Sequence, residues 1–257
     1  MKFEEISFVS KGEVKIVGEI VYPTKKEPPY PLIIKLHGFP GDADKILENE
    51  LKLVREGFAV MAFDFRGHRE SDGEFSFEGE IYDVINALNF VDGLKNIDQT
   101  RIGLFGESMG GGVAICVSAI DSRPKAVCVR APVFDTEYLF IKKFATWFKP
   151  VINMMRSDPI FKLEVKGIEK DEIFKNVKDE ARKFNPIKEI SKLKIPIAII
   201  AGTKDELMQI SKIKNLFELA NEPKEFIEIK EADHNLTNFI AYEKVGEALF
   251  DFFKSKL

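Results

Sequence analysis

A chain of 257 residues, 45% hydrophobic and 31% charged, has the length and composition of one well-cored α/β domain, or of one domain carrying an insertion. Its net charge of −4 disfavours nucleic acid or an anionic membrane as partner, and its longest apolar runs are of strand length, short of the ~20 residues of a membrane span. The start, Met1 to Ile6, is acidic and interrupted, unlike a signal peptide, and the two cysteines, Cys116 and Cys128, lie in apolar runs that suit buried free thiols; a cytoplasmic protein, monomer or homodimer, is expected.

Residues 3–9 and 14–22 read as a hairpin with Gly12 in the turn, and Leu32 to Leu36 as a short buried strand that runs into His37-Gly38-Phe39-Pro40-Gly41. Helical spacing covers 43–56 and stops at Gly57. Phe58 to Asp64 is the next strand, followed by a polar, Gly-punctuated loop from Arg66 to Gly73 and a helix over about 78–92. The strand Arg101 to Phe105 leads into Gly106-Glu107-Ser108-Met109-Gly110 and a small-residue helix, and Ala126 to Arg130 is a further buried strand. From 133 to 190 the alternation breaks into an aromatic-rich, proline-interrupted stretch, with a short hairpin expected around 161–167. The strand Ile195–Ala201, a helix over about 208–220, the strand Lys224–Ile229 and a terminal helix complete the chain. Strands alternating with helices predict right-handed crossovers and a mostly parallel sheet flanked by helices. The expected organisation is a core over 1–132 and 191–257, with 133–190 inserted after the sixth strand as a cap over the sheet's carboxyl edge, where α/β proteins bind ligands. Most of its aromatics would form the cap's own core; Tyr138, Phe144 and Trp147 are candidates for touching a substrate.

Gly-x-Ser-x-Gly between a strand and a helix is a sharp turn that lifts Ser108 off the sheet and aims it at free helix N–H groups. A serine hydroxyl needs an imidazole to take its proton, and the imidazole needs a carboxylate to fix its tautomer. Three histidines are available: His37, His68 and His234. His234 follows the last strand, with Asp205 between it and Ser108 in sequence, so it is the expected base and Asp205 the expected acid. Glu206 and Asp135 are alternatives to Asp205, whereas Asp233 reads as a turn residue. The backbone N–H groups of Phe39 and Met109 are the expected oxyanion donors; Pro40 has none to give.

Taken together, His37-Gly38-Phe39-Pro40-Gly41, Asp64-Phe65-Arg66-Gly67-His68, Gly106 to Gly111, and Gly202-Thr203-x-Asp205 with Asp233-His234 resemble the serine α/β-hydrolase superfamily. The likeness spans nearly the whole chain and is most similar to small acyl esterases of the cinnamoyl and feruloyl type. Two departures stand out: Arg69 replaces a glycine usual in the Arg-Gly-His loop, and Met208 lies near the place of a usual proline. The resemblance implies the α/β-hydrolase fold and a carboxylic-ester hydrolase acting through an acyl-enzyme on small to medium acyl esters, aromatic ones among them. No cofactor is expected, and no Cys/His cluster with metal-ligand spacing occurs. One alternative is a serine peptidase or aminopeptidase of the same fold, for which Glu137, Asp158 or Glu164 would meet the substrate's amine. The other is a catalytically silent hydrolase-like binding protein, whose usual mark is loss of the serine, acid or histidine; all three are present.

Overall fold

The computed structural model describes residues 1–41 and 45–257, and the side chains of all of these except 161–163. Strand β1 (Lys2–Ser10) and β2 (Val14–Tyr22) form the entry hairpin, followed by β3 (Tyr30–Leu36), helix α1 (Glu48–Glu56), β4 (Ala59–Phe63) and α2 (Phe77–Val91). The second half of the sheet comprises β5 (Ile97–Glu107), α3 (Met109–Ile120) and β6 (Ala126–Arg130), and then, beyond a helical excursion, β7 (Ile197–Gly202) and β8 (Lys224–Ile229).

The eight strands lie in the order β1-β2-β4-β3-β5-β6-β7-β8. β1, β2 and β4 pair antiparallel, and every pair from β4–β3 to β7–β8 is parallel. The central strands β4, β6 and β7 read as largely apolar runs because both faces are covered. On one face Leu32, Ile34 and Leu36 meet α2 and α3. On the other, Ile33 and Phe105 meet Leu53 and Val54 of α1. The register aligns Leu36 with Gly106, Glu107 with Arg130, and Gly202 with Ile229, so the loops after five parallel strands emerge at one edge.

Local chemistry sets the helix ends. Residues 43 and 44 of the expected first helix lie outside the described residues; the helix begins at Glu48, where the Leu47 N–H donates to Glu50 Oε2 at 2.8 Å, and it ends at Gly57 with φ +108°. Ser76 Oγ accepts the Gly79 N–H at 2.8 Å and starts α2.

The excursion between β6 and β7 is helical. Two π-helical turns, Tyr138–Lys142 and Phe144–Phe148, lead into α4 (Lys149–Ser157), α5 (Pro159–Glu164), α6 (Glu172–Lys183) and α7 (Pro186–Glu189). The hairpin expected around 161–167 does not form. Pro159 opens a helix and the Asp158 carboxylate accepts the Ile160 N–H at 2.8 Å, so only Val165 bridges, as a lone antiparallel partner of His68. Backbone bonds from Arg69 N–H to the Glu164 carbonyl and from Lys166 N–H to the Gly67 carbonyl fasten this excursion to the loop after β4. Helices α8 (Ile210–Glu218) and α9 (Phe239–Lys256) finish the chain, the latter capped by Asn238 and packed with α1 through Val245 and Leu249. Among the described residues no helix is long and apolar enough to cross a membrane.

Candidate active site

Ser108 stands between β5 and α3 with φ +50° and ψ −110°, a strained conformation for a side-chain-bearing residue. The turn closes only because its flanks lack side chains: a β-carbon on Gly106 would come within 2.3 Å of the Gly110 carbonyl oxygen. The Ser108 N–H donates to the Arg130 carbonyl at 2.9 Å and its own carbonyl accepts from Val133 at 2.7 Å, fixing the turn against the end of β6.

His234, in the loop after β8, brings Nε2 to 3.1 Å from Ser108 Oγ, while its Nδ1 lies 2.8 Å from Asp205 Oδ2. Asp205 is buried at the end of the β7 turn. Burial pushes its carboxyl up, but the hydrogen bond and charge of His234, with the N–H groups of Met208 and Leu207 on Oδ1, outweigh that and hold it below the usual carboxylate range. Nδ1 therefore carries a proton toward Asp205 and Nε2 is free to accept one from Ser108. The alternative acids are occupied or remote in role. Asp135 accepts from Tyr138 N–H and Asn185 Nδ2, Glu206 is exposed, and Asp233 closes the turn to Thr237.

The other two histidines support the loop beside the serine. His37 Nε2 accepts the Phe65 N–H at 2.9 Å and its Nδ1 lies 2.6 Å from the Gly38 carbonyl, which requires a neutral ring with its proton on Nδ1. Burial drives its pKa down to about 4. His68 is buried too, with its pKa lowered to about 3 by burial and then by His37. Gly38 faces the serine closely: a β-carbon there would stand 3.2 Å from Ser108 Cβ. Among the described residues no backbone carbonyl takes up the N–H of Phe39 or of Met109. Arg69 takes φ +42°, so an arginine adopts the left-handed conformation that a glycine would adopt without strain.

Two cavities lie near the candidate site, and the first is lined by both Ser108 and His234. One, of about 320 Å³, is lined by Gly38, Phe39, Ser108, Arg130, His234 and Tyr242. The other, of about 310 Å³, lies under the excursion and is lined by Phe134, Tyr138, Leu139, Trp147 and Leu207 among others; it shares Glu206, Leu207 and Gln209 with a wider depression that reaches Asp205 and His234. Tyr138 and Trp147 thus line this second cavity, which neither Ser108 nor His234 lines. Phe144 does not line it: its ring packs edge-on to Phe174 and beside Phe148, beneath the Lys178 ammonium, and serves the excursion's own core.

Sequence reasoning passed over Arg130 and Glu107, which pair at 2.6 Å beside the serine, and Tyr242, which lines the first cavity from α9. The available signal was a charge closing an otherwise apolar strand, Ala126-Val127-Cys128-Val129-Arg130.

The sheet, the elbow and the serine–histidine–aspartate arrangement define a serine α/β-hydrolase. Residues 27–185, well over half of the chain, match the family described as "Serine aminopeptidase, S33", and the chain belongs to that family. A protein of Escherichia coli, the "Uncharacterized 31.7 kDa protein in traX-finO intergenic region", is 27% identical over 265 residues, covering 89% of this chain and 92% of its own. Among solved structures, an acetyl xylan esterase from Paenibacillus sp. R4 is similar with a TM-score of 0.76 at 21% identity, covering 99% of this chain and 84% of that one. Est1E from Butyrivibrio proteoclasticus, with ferulic acid bound, is similar with a TM-score of 0.73 at 18% identity, covering 98% of each chain. At these identities the structural likeness speaks to the fold.

Proposed function

We propose that this hydrolase cleaves carboxylic esters through an acyl-enzyme on Ser108. The observation that carries the reading is the unbroken chain from Ser108 Oγ through the two nitrogens of His234 to Asp205, at 3.1 and 2.8 Å. As Ser108 attacks the ester carbonyl, His234 takes its proton on Nε2, and Asp205 holds the ring in the required tautomer and stabilises the imidazolium. The unengaged N–H groups of Phe39 and Met109 are offered to the tetrahedral oxyanion. His234 then returns the proton to the departing alcohol, and water deacylates the serine by the same route in reverse. With 133–190 acting as a cap, the cavity under Tyr138 and Trp147 suits a medium or aromatic acyl group. Two structural neighbours, an acetyl xylan esterase and Est1E with ferulic acid bound, lie in the same direction.

The family's description favours one second reading, an aminopeptidase. That activity needs an acid free to meet a substrate amine, and the three candidates are engaged elsewhere: Glu137 with Lys188, Glu164 with Arg69, and Asp158 at the start of α5. Hydrolysis of p-nitrophenyl esters from acetate to decanoate, and of methyl cinnamates, should therefore exceed hydrolysis of aminoacyl nitroanilides. Cleavage of the nitroanilides alone would replace the ester reading with the peptidase one. If short aliphatic esters proved far better than cinnamates, the aromatic preference would fall while the ester reading stood.

A further inference from the structure

Arg130 closes β6 and lies with Glu107 and Ser108 on one side and the His234 loop on the other. Its backbone carbonyl accepts the Ser108 N–H at 2.9 Å. Its Nε donates to Glu107 Oε1 at 2.6 Å, and Glu107 is the residue immediately before the nucleophile. Its Nη1 donates to the backbone carbonyl of His234 itself at 2.9 Å. One residue therefore holds, through three separate bonds, the turn that carries the hydroxyl and the loop that carries the imidazole.

The His234 loop has need of such a hold. Glu231 and Leu236, on either side of the histidine, take φ +65° and φ +52°, conformations that L side chains disfavour. Its other fastenings lie toward β7: Lys204 N–H to the Ala232 carbonyl, Glu231 N–H to Thr203 Oγ1, and His234 Nδ1 to Asp205. Without Arg130 the loop keeps its hydrogen bonds on the acid's side and, among the described residues, loses its backbone hydrogen bond toward the nucleophile's side. The 3.1 Å separation between His234 Nε2 and Ser108 Oγ is the distance that this loss would loosen.

We propose that Arg130 is a positioning residue that sets the distance between His234 and Ser108, with Glu107 as its anchor. The proposal rests on the serine-nucleophile reading above. A planar guanidinium is required, because its Nε and Nη1 point to two acceptors at once; a lysine ammonium offers one nitrogen and cannot span the pair. Glu107 is held as a carboxylate: burial raises its carboxyl, and Arg130 with Lys35 outweighs that. Arg130 alone is thus a hazardous residue to delete, since its loss strands a buried carboxylate near Glu50.

The test is the rate at which a fluorophosphonate modifies Ser108, a reaction that needs the activated hydroxyl and no knowledge of the natural ester. Arg130→Lys should fold with a melting temperature near that of wild type and label about 100-fold more slowly, the size of loss that a misplacement of about 1 Å produces. The double variant Glu107→Gln/Arg130→Met removes both charges, so it keeps the fold free of a stranded ion, and it should lose labelling to a similar degree. In Arg130→Ala, added guanidinium ion should restore labelling several-fold and leave wild type unchanged. If Arg130→Lys or the folded double variant labels within twofold of wild type, the brace is refuted and the nucleophile stands. If wild-type Ser108 does not label at all, the nucleophile reading falls and the brace falls with it.

Discussion

The imidazoles of His37 and His68 lie against each other with ring centroids 4.9 Å apart, buried beside Phe65 and Phe75. Their pKa values, lowered to about 4 and about 3, keep both neutral, whereas in the unfolded chain each titrates near 6.5. Between those limits the unfolded state binds more protons, so their contribution to stability is complete above about pH 6.5 and is lost as pH falls. Buried Glu50 and Glu80, raised by burial, act in the opposite direction, so the comparison to make is between wild type and His68→Phe. Relative to wild type, the variant should gain about 2 kcal/mol between pH 7.5 and pH 5.0, at about 1.4 kcal/mol per pH unit below 6.5. Urea unfolding at the two pH values measures the difference; an equal gap at both would mean that His68 charges freely in the fold.

Asp205 acts on His234 through geometry as much as charge. Asp205→Asn keeps an oxygen for the Leu207 and Met208 N–H groups, but it turns an amide donor toward His234 Nδ1 and so favours the tautomer with its proton on Nε2. The expected outcome is a fall in kcat of roughly 10⁴-fold with little change in melting temperature. Retention of activity would make Glu206 or another acid the partner of His234.

Tyr138 lines a cavity, whereas Phe144 packs inside the helical excursion, so the two make a contrasting pair of substitutions. If the acyl group of the proposed ester extends into the cavity that Tyr138 lines, Tyr138→Ala should lower kcat/KM for a methyl cinnamate roughly tenfold or more while leaving p-nitrophenyl acetate nearly unchanged. Phe144→Ala should instead cost about 2 kcal/mol of stability, through its lost contacts with Phe174 and Phe148, and leave the ratio between the two esters unaltered. Steady-state kinetics on both esters and thermal melts distinguish the two roles.

The sheet was legible because its central strands carry short apolar runs such as Leu32 to Ile34, Ala59 to Phe63 and Ile197 to Ala201, and Ser108 because Gly106 and Gly110 leave a strand-to-helix turn little other use. That Asp205 and His234 meet was readable from chain order, since both follow strands of one parallel sheet and must emerge at the same edge. The region 161–167 misled because β-branched and aromatic residues suit a hairpin locally, while Pro159 and Asp158 upstream commit the chain to a helix. Phe144 was indistinguishable from Tyr138 in sequence: which aromatic faces a cavity depends on two π-helical turns that carry no periodic signal. Arg130 was hidden for a similar reason, since a single charge at a strand end acquires meaning only when the His234 loop is folded against it.

An ester hydrolase of this kind carries its acyl group on Ser108 during turnover, and intact-protein mass spectrometry detects that adduct. After acid quench of the protein with a p-nitrophenyl ester in excess, the mass should rise by that of the acyl group less the hydrogen it replaces, localised by peptide mapping to the segment containing Ser108 and absent from Ser108→Ala. Ester turnover that persists in Ser108→Ala, or an adduct on any other residue, would contradict a covalent acyl-enzyme on Ser108.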